Sequence, residues 1–386
     1  MTTPESRTIL LGVTVDASLI LVRGFPEYLR DHGWSVHVVS ASGPNRDRLR
    51  SIPGITTHAI EMTRNPSPVA DFKALISWVR ILKRVRPSVT SVGTPKAGLL
   101  GGIAALITRV PHRVYILRGL RMETAKGLQH RILSFLECVS MFTAQTVVAV
   151  SPSLRSRTLE SGLVAPEKLT VIGSGSSNGV DLLHFDRRSI PVTQLSELQQ
   201  SLNITPGVPI IGFVGRLAPD KGLAVLSEAR ALLIEKGYDH HLLVVGGIDD
   251  QAAPELLSGL RTLGRPIIET GHVSDTRAYY ALMDILCLPT RREGFPNVVL
   301  EASAMMVPTV TTKATGAIDS VVDTTTGLLV DVDNPKQLAR ALMSLLSSPD
   351  SRTTLGRAAR ERVERHFSRP IVWSNMDLFY RGLVDD

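Results

Sequence analysis

Residues 285–301 read ILCLPTRREGFPNVVLE. Ile285–Leu288 is a short apolar run of the kind a fully buried strand needs. Pro289, Gly294 and Pro296 punctuate the next stretch as a loop, and a helix is expected to start near Asn297. A buried strand, a loop and a helix in that order are the repeating unit of a parallel sheet covered by helices. The same alternation extends in both directions. C-terminally it predicts strands at Thr309–Thr312 and Gly327–Val330. N-terminally it predicts Val208–Val214, His241–Val245 and Pro266–Glu269. Beyond a polar stretch from Asp186 to Gly207, it predicts an earlier series at Thr8–Val15, Ser35–Ala41, Ile55–Glu61, Val89–Val92, Arg113–Leu117, Thr146–Ser151 and Lys168–Ile172. The fold class is α/β, with two Rossmann-like domains.

The length of 386 residues suits two cores rather than one. The polar stretch, ending in Pro206-Gly207, reads as connection plus a short helix. The expected division is therefore 1–190, 191–365 and a closing helical stretch 366–386 with Trp373 and Leu378. With 43% hydrophobic and 20% charged residues the chain should fold throughout. The start MTTPESRTILLGV lacks a signal-peptide pattern and no apolar run reaches spanning length, so a cytoplasmic protein is expected. Cys138 and Cys287 both lie in apolar runs and are expected to be buried thiols, not metal ligands.

The net charge of +7 is unevenly spread. Residues 1–190 hold 24 Lys and Arg against 13 Asp and Glu, whereas residues 191–386 hold 19 against 23. A basic first half favours anionic partners on one side only, such as lipid headgroups or pyrophosphate. The acidic second half, the low aromatic content and the lack of a binding motif argue against nucleic acid. The predicted helix Asp71–Val85 carries Trp78, Val79 and Leu82 beside Lys73, Arg80, Lys83 and Arg84, a pattern suited to an anionic membrane surface or to packing on its own sheet.

Parallel α/β sheets bind ligands beyond the carboxyl ends of their strands, so the chemistry is sought in the loops there. Gly294, Phe295, Pro296 and Asn297 lead into a helix whose first N–H groups and positive dipole end can hold phosphate or sugar hydroxyls. Glu293 before it and Glu301 about one turn into it are acceptors suited to hexose and ribose hydroxyls. Upstream, residues 209–222 read PIIGFVGRLAPDKG. Arg216 and Lys221 follow the strand there, and two cations so placed can bracket a diphosphate and neutralise leaving-group charge in place of a metal.

Glu293 and Glu301 lie in EGFPNVVLEA, which resembles the E-x7-E signature of the family 4 retaining glycosyltransferases. The stretch VGRLAPDKG is similar to that family's Arg/Lys diphosphate clamp. The likeness runs through Gly246-Gly247, Gly271-His272-Val273, Asp284, Gly316 and Gly327, with Asn178-Gly179-Val180-Asp181 before the linker. It implies the GT-B arrangement, two Rossmann-like domains facing across a cleft, with the closing helix crossing back to the first. It also implies metal-independent, cofactor-free, retaining transfer of a hexose from a nucleoside-diphosphate sugar, with Glu293, Arg216 and Lys221 as catalytic residues and Glu301 and 294–297 binding the donor.

The first half resembles the family more loosely. Thr94-Pro95-Lys96-Ala97-Gly98 and Arg118-Gly119-Leu120-Arg121 look similar to a subset building bacterial surface polysaccharides or lipid-linked saccharides. That subset implies a saccharide or lipid-linked acceptor. The basic first half, with the basic helix Asp71–Val85, points to peripheral contact with the inner membrane face. Asp16 follows the first strand, where relatives place an acceptor-side loop. Arg118 stands where many relatives have His, and is expected to contact a phosphate or sugar if it is not structural. The rival readings are a nucleotide-sugar 2-epimerase on the same architecture and a non-catalytic nucleotide-sugar binding protein.

Overall fold

The structure, a computed structural model, describes residues 7–63, 67–248 and 253–385. The reading of residues 1–6 as lacking a signal pattern falls outside these. The chain divides into two compact units, Met1–Asn178 with Pro370–Asp386, and Gly179–Arg369.

The first unit is built on a parallel sheet of seven strands: β1 (Thr8–Gly12), β2 (Ser35–Ser40), β3 (Ile55–Ala59), β4 (Val89–Gly93), β5 (His112–Leu117), β6 (Thr146–Ala149) and β7 (Leu169–Thr170). Their order in space is β3-β2-β1-β4-β5-β6-β7. All five residues of β4 are buried, as a strand covered on both faces requires. The order reverses between β1 and β4, which pair from Ile9 with Val89 to Gly12 with Val92, and a crevice opens at their carboxyl ends.

The helix Pro68–Val85 turns Ala74, Trp78 and Leu82 into the core, and Trp78 is fully buried. The apolar stripe that suggested a membrane contact thus packs on the helix's own sheet. On the helix Gly127–Thr143 the arrangement is reversed. Leu128, Ile132, Phe135 and Phe142 are exposed, and so is Cys138, correcting the expectation of a buried thiol. The apolar run around Cys138 is the outward stripe of a helix.

The C-terminal helix Arg369–Asp385 lies against first-unit elements. Trp34 Nε1 donates to Asp377 Oδ1 at 2.6 Å, the Tyr380 and Ser91 hydroxyls share a hydrogen bond at 2.7 Å, and Arg7 pairs with Asp385.

The second unit holds a six-stranded parallel sheet of β8 (Ile210–Val214), β9 (His241–Val245), β10 (Ile268–Gly271), β11 (Ile285–Leu288), β12 (Thr309–Thr312) and β13 (Gly327–Val330). The order is β10-β9-β8-β11-β12-β13, with the reversal between β8 and β11. The helix Val192–Ser201, from the polar stretch, leans Leu195 and Leu198 on this unit's core. Cys287 is buried in β11.

Candidate active site

Because β8 and β11 are neighbours at the reversal, pairing Ile285 with Ile211 and Leu286 with Gly212, the segments leaving their carboxyl ends start side by side. From β8 the chain passes through Gly215 and Arg216 to a single turn, Pro219–Lys221, and then into the helix Leu223–Glu235. From β11 it passes through 289–296 into the helix Asn297–Ala304. The two loops are stitched together. Arg291 N–H donates to Asp220 O at 2.9 Å, and Thr290 Oγ1 donates to Asp220 O at 3.1 Å. Gly222 makes this approach feasible: its φ is +76°, and a β-carbon there would run into the carbonyl oxygen of Pro289.

Two ion pairs then cross between the loops. Lys221 Nζ donates to Glu293 Oε1 at 2.5 Å, with side chains only 12% and 15% exposed. Arg292 pairs with Asp220 at 2.9 Å. The sequence had assigned Lys221 to the diphosphate and Glu293 to the hexose; the fold brings the two into direct contact. A lysine ammonium has three donors, and Glu293 takes one. Arg216 is exposed at the end of β8, so the same crevice carries a second cation.

Glu301 sits on the first turns of the helix Asn297–Ala304, where Tyr280 O–H donates to its Oε2 at 2.9 Å. Burial pushes the carboxyl up to about 7, against the opposing effects of the Tyr280 hydrogen bond and the charge of Arg369. It is therefore not the solvated helix residue an isolated Glu pair would suggest. Gly294, Phe295 and Pro296 are buried, and the Phe295 ring lies 5.1 Å from that of Phe367, so this side chain anchors the loop to the core. Asn297 Oδ1 is enclosed without a hydrogen-bond partner at the helix start.

The first-unit candidates have separate fates. Asp16 is engaged as a helix cap: its carboxylate accepts from the backbone N–H groups of Asn45 at 3.2 Å and Arg46 at 2.8 Å, and from Asn45 Nδ2 at 2.8 Å. That role opens the helix Pro44–Arg50 and leaves few lone pairs for a substrate. Arg118, just after β5, lines a pocket made of first-unit residues only. Sequence reasoning missed Tyr280, Thr290 and Asp220. Asp220 lay inside the quoted motif, whereas Tyr280, 21 residues from Glu301, left no local signal. Among the described residues no cluster of three or more His, Cys, Asp or Glu is arranged to hold a metal, and no helix is long and apolar enough to cross a membrane.

Two family profiles match the chain: "Glycosyl transferases group 1" over residues 196–362 and "Glycosyl transferase 4-like domain" over residues 22–175. The capsular polysaccharide biosynthesis glycosyltransferase CapM of Staphylococcus aureus is 37% identical, over 99% of this chain and 99% of that one. The UDP-Gal:alpha-D-GlcNAc-diphosphoundecaprenol alpha-1,3-galactosyltransferase of Escherichia coli is 26% identical over 73% of this chain and 72% of its own. Among solved structures, HepE of Anabaena in complex with UDP and glucose superposes with a TM-score of 0.81 at 19% identity, covering 97% of this chain and 100% of that chain. A glycosyltransferase of Rickettsia africae ESF-5 gives 0.80 at 22% identity, covering 99% and 100%. These two likenesses establish the GT-B fold.

Proposed function

The chain belongs to the group 1 glycosyltransferases, and from that premise we propose a retaining, metal-independent enzyme. In this reading it moves a hexose from a nucleoside-diphosphate sugar to a saccharide on a lipid-linked acceptor, in the synthesis of a bacterial surface polysaccharide. The likeness to a capsular polysaccharide enzyme over the whole chain supports the pathway class. The likeness to an enzyme named for a diphosphoundecaprenol acceptor supports the lipid link.

The observation that carries the reading is the Lys221–Glu293 pair where the β8 and β11 loops meet. A retaining substitution on one face of the sugar places the burden on the departing diphosphate, whose oxygen also takes the acceptor hydroxyl's proton. Arg216 and the remaining donors of Lys221 stabilise that negative charge, Glu301 holds the ribose hydroxyls, and Glu293 orients the hexose while fixing the lysine. The N–H groups opening the helix Asn297–Ala304 add a positive dipole end.

The proposed lipid side rests on the helix Gly127–Thr143. Leu128, Phe135 and Phe142 are 72%, 67% and 73% exposed along one stripe. The helix's sole acid, Glu137, is buried against the Tyr115 hydroxyl, while Arg131 lies on the exposed side and the Lys168 ammonium lies 5.8 Å over the Phe142 ring. An apolar stripe flanked by cations and lacking exposed acid matches an anionic bilayer surface.

The test is transfer from a panel of UDP-, GDP- and ADP-hexoses to a prenyl-diphosphate saccharide, with the anomeric configuration read by NMR. We expect a retained configuration with one donor class and activity undiminished by EDTA. An inverted product, strict dependence on added divalent metal, or conversion of the donor to free sugar without an acceptor would overturn the reading.

A further inference from the structure

We propose that the pocket at the carboxyl ends of β1, β4 and β5 in the first unit is an oxyanion subsite, with the Arg118 guanidinium as its ligand, taking a phosphate or carboxylate carried by a substrate. The pocket is lined by Gly12, Ser91, Gly93, Ile116, Trp373 and Tyr380 around Arg118. Arg118 is partly buried, and its Nε is enclosed without a hydrogen-bond partner. The ionisable groups that act on it electrostatically are the phenols of Tyr380 and Tyr115; no carboxylate is among them. Several polar side chains of the lining are engaged with one another or with the backbone: the Ser91 and Tyr380 hydroxyls bond each other, and Asn178 is held between Arg23 O and Trp373 Nε1.

A β-carbon on Gly93 would collide with Arg118 Nη1, so the guanidinium lies in the space that the glycine at the end of β4 leaves open. Burial without a counter-charge lowers the Arg118 pKa to about 10, and an unpaired buried cation costs several kcal/mol. A structural arginine in such a place is ordinarily paired. The planar fork instead matches a doubly hydrogen-bonded phosphate or carboxylate from solvent.

Anion binding itself is independent of the proposed transfer reaction; only the naming of the anion as part of a sugar or lipid-diphosphate substrate rests on that reading. The experiment is calorimetric titration of inorganic pyrophosphate and of glucuronate into the full chain carrying K221A, which weakens the second-unit cation site. It is repeated with R118Q and R118K added. An Arg118-dependent loss of affinity of tenfold or more for pyrophosphate assigns a diphosphate-bearing substrate, and the same loss for glucuronate assigns an acidic sugar. R118K, which keeps the charge and loses the fork, should bind more weakly than the parent and serves should R118Q fold poorly. Melting temperature supplies a second readout: R118Q should melt at or above the parent, because it removes an uncompensated charge. Equal affinities for both probes in parent, R118Q and R118K overturn the proposal, whatever transfer activity the protein has.

Discussion

At the scale of single residues, the contact between Lys221 and Glu293 makes their effects interdependent. Replacing either with alanine should lower turnover at least about tenfold, since a charge-assisted contact is commonly worth about 1.5 to 3 kcal/mol. The double variant should lose less than the product of the two single losses, because each substitution already breaks the shared pair. Strictly multiplicative losses in a double-mutant cycle would show that the pair does not act as a unit. Glu301 gives a pH signature. With its carboxyl at about 7, the fraction ionised, which accepts ribose hydroxyls, rises about tenfold from pH 6 to pH 8. Nucleotide-sugar affinity should rise by a similar factor over that range, and E301Q should bind weakly and without the slope. A slope that survives in E301Q assigns the titration to another group.

At the scale of elements, two helices of the first unit put apolar residues to opposite uses. In Pro68–Val85 the stripe faces inward, so W78A should cost about 3 to 5 kcal/mol of stability, measured by denaturant unfolding. In Gly127–Thr143 the stripe faces outward. The triple variant L128S, F135S, F142S should therefore keep its melting temperature within a few degrees, as exposed substitutions usually do, while losing at least about tenfold in binding to phosphatidylglycerol vesicles. Unchanged sedimentation with such vesicles would remove the membrane role from this helix. Helical periodicity was read from the first stretch, as Asp71–Val85, whereas the second was read only as an apolar run around Cys138. Which side of each helix meets the sheet was not legible, because that depends on where the strands before and after it lie.

At the scale of the whole molecule, buried carboxyls set the response to pH. Burial raises both Glu137 and Glu301 from 4.5 to about 7. Between those values the folded chain holds protons that the unfolded chain has released, so their contribution to stability is full below pH 4.5 and is lost as the pH rises through 7. His58 acts in the opposite sense. Burial first, then the charges of His37 and Arg84, lower it from 6.5 to about 4, so its contribution is lost as the pH falls through that window. His37, His112, His240 and His241, lowered in the same direction, add to the opposing effect. From pH 6 to pH 8 the melting temperature of the parent should therefore fall more, or rise less, than that of a variant carrying E137Q and E301Q. Equal slopes in the two proteins would remove these carboxyls from the pH response. The α/β class, the thirteen strands of the described residues, the positions of Arg216, Lys221 and Glu293 in the loops after strands and that of Glu301 on the helix that follows were determined by the sequence itself. Buried parallel strands must be short apolar runs, and the loops after them must carry the polar chemistry. Only the tertiary structure decided that Lys221 and Glu293 touch, that Tyr280 meets Glu301, that Asp16 caps a helix, and that Arg118 enters its pocket without a carboxylate partner. Each of these depends on residues far apart in the chain meeting where the strand order reverses or a helix docks, and local pattern carries no record of such distances.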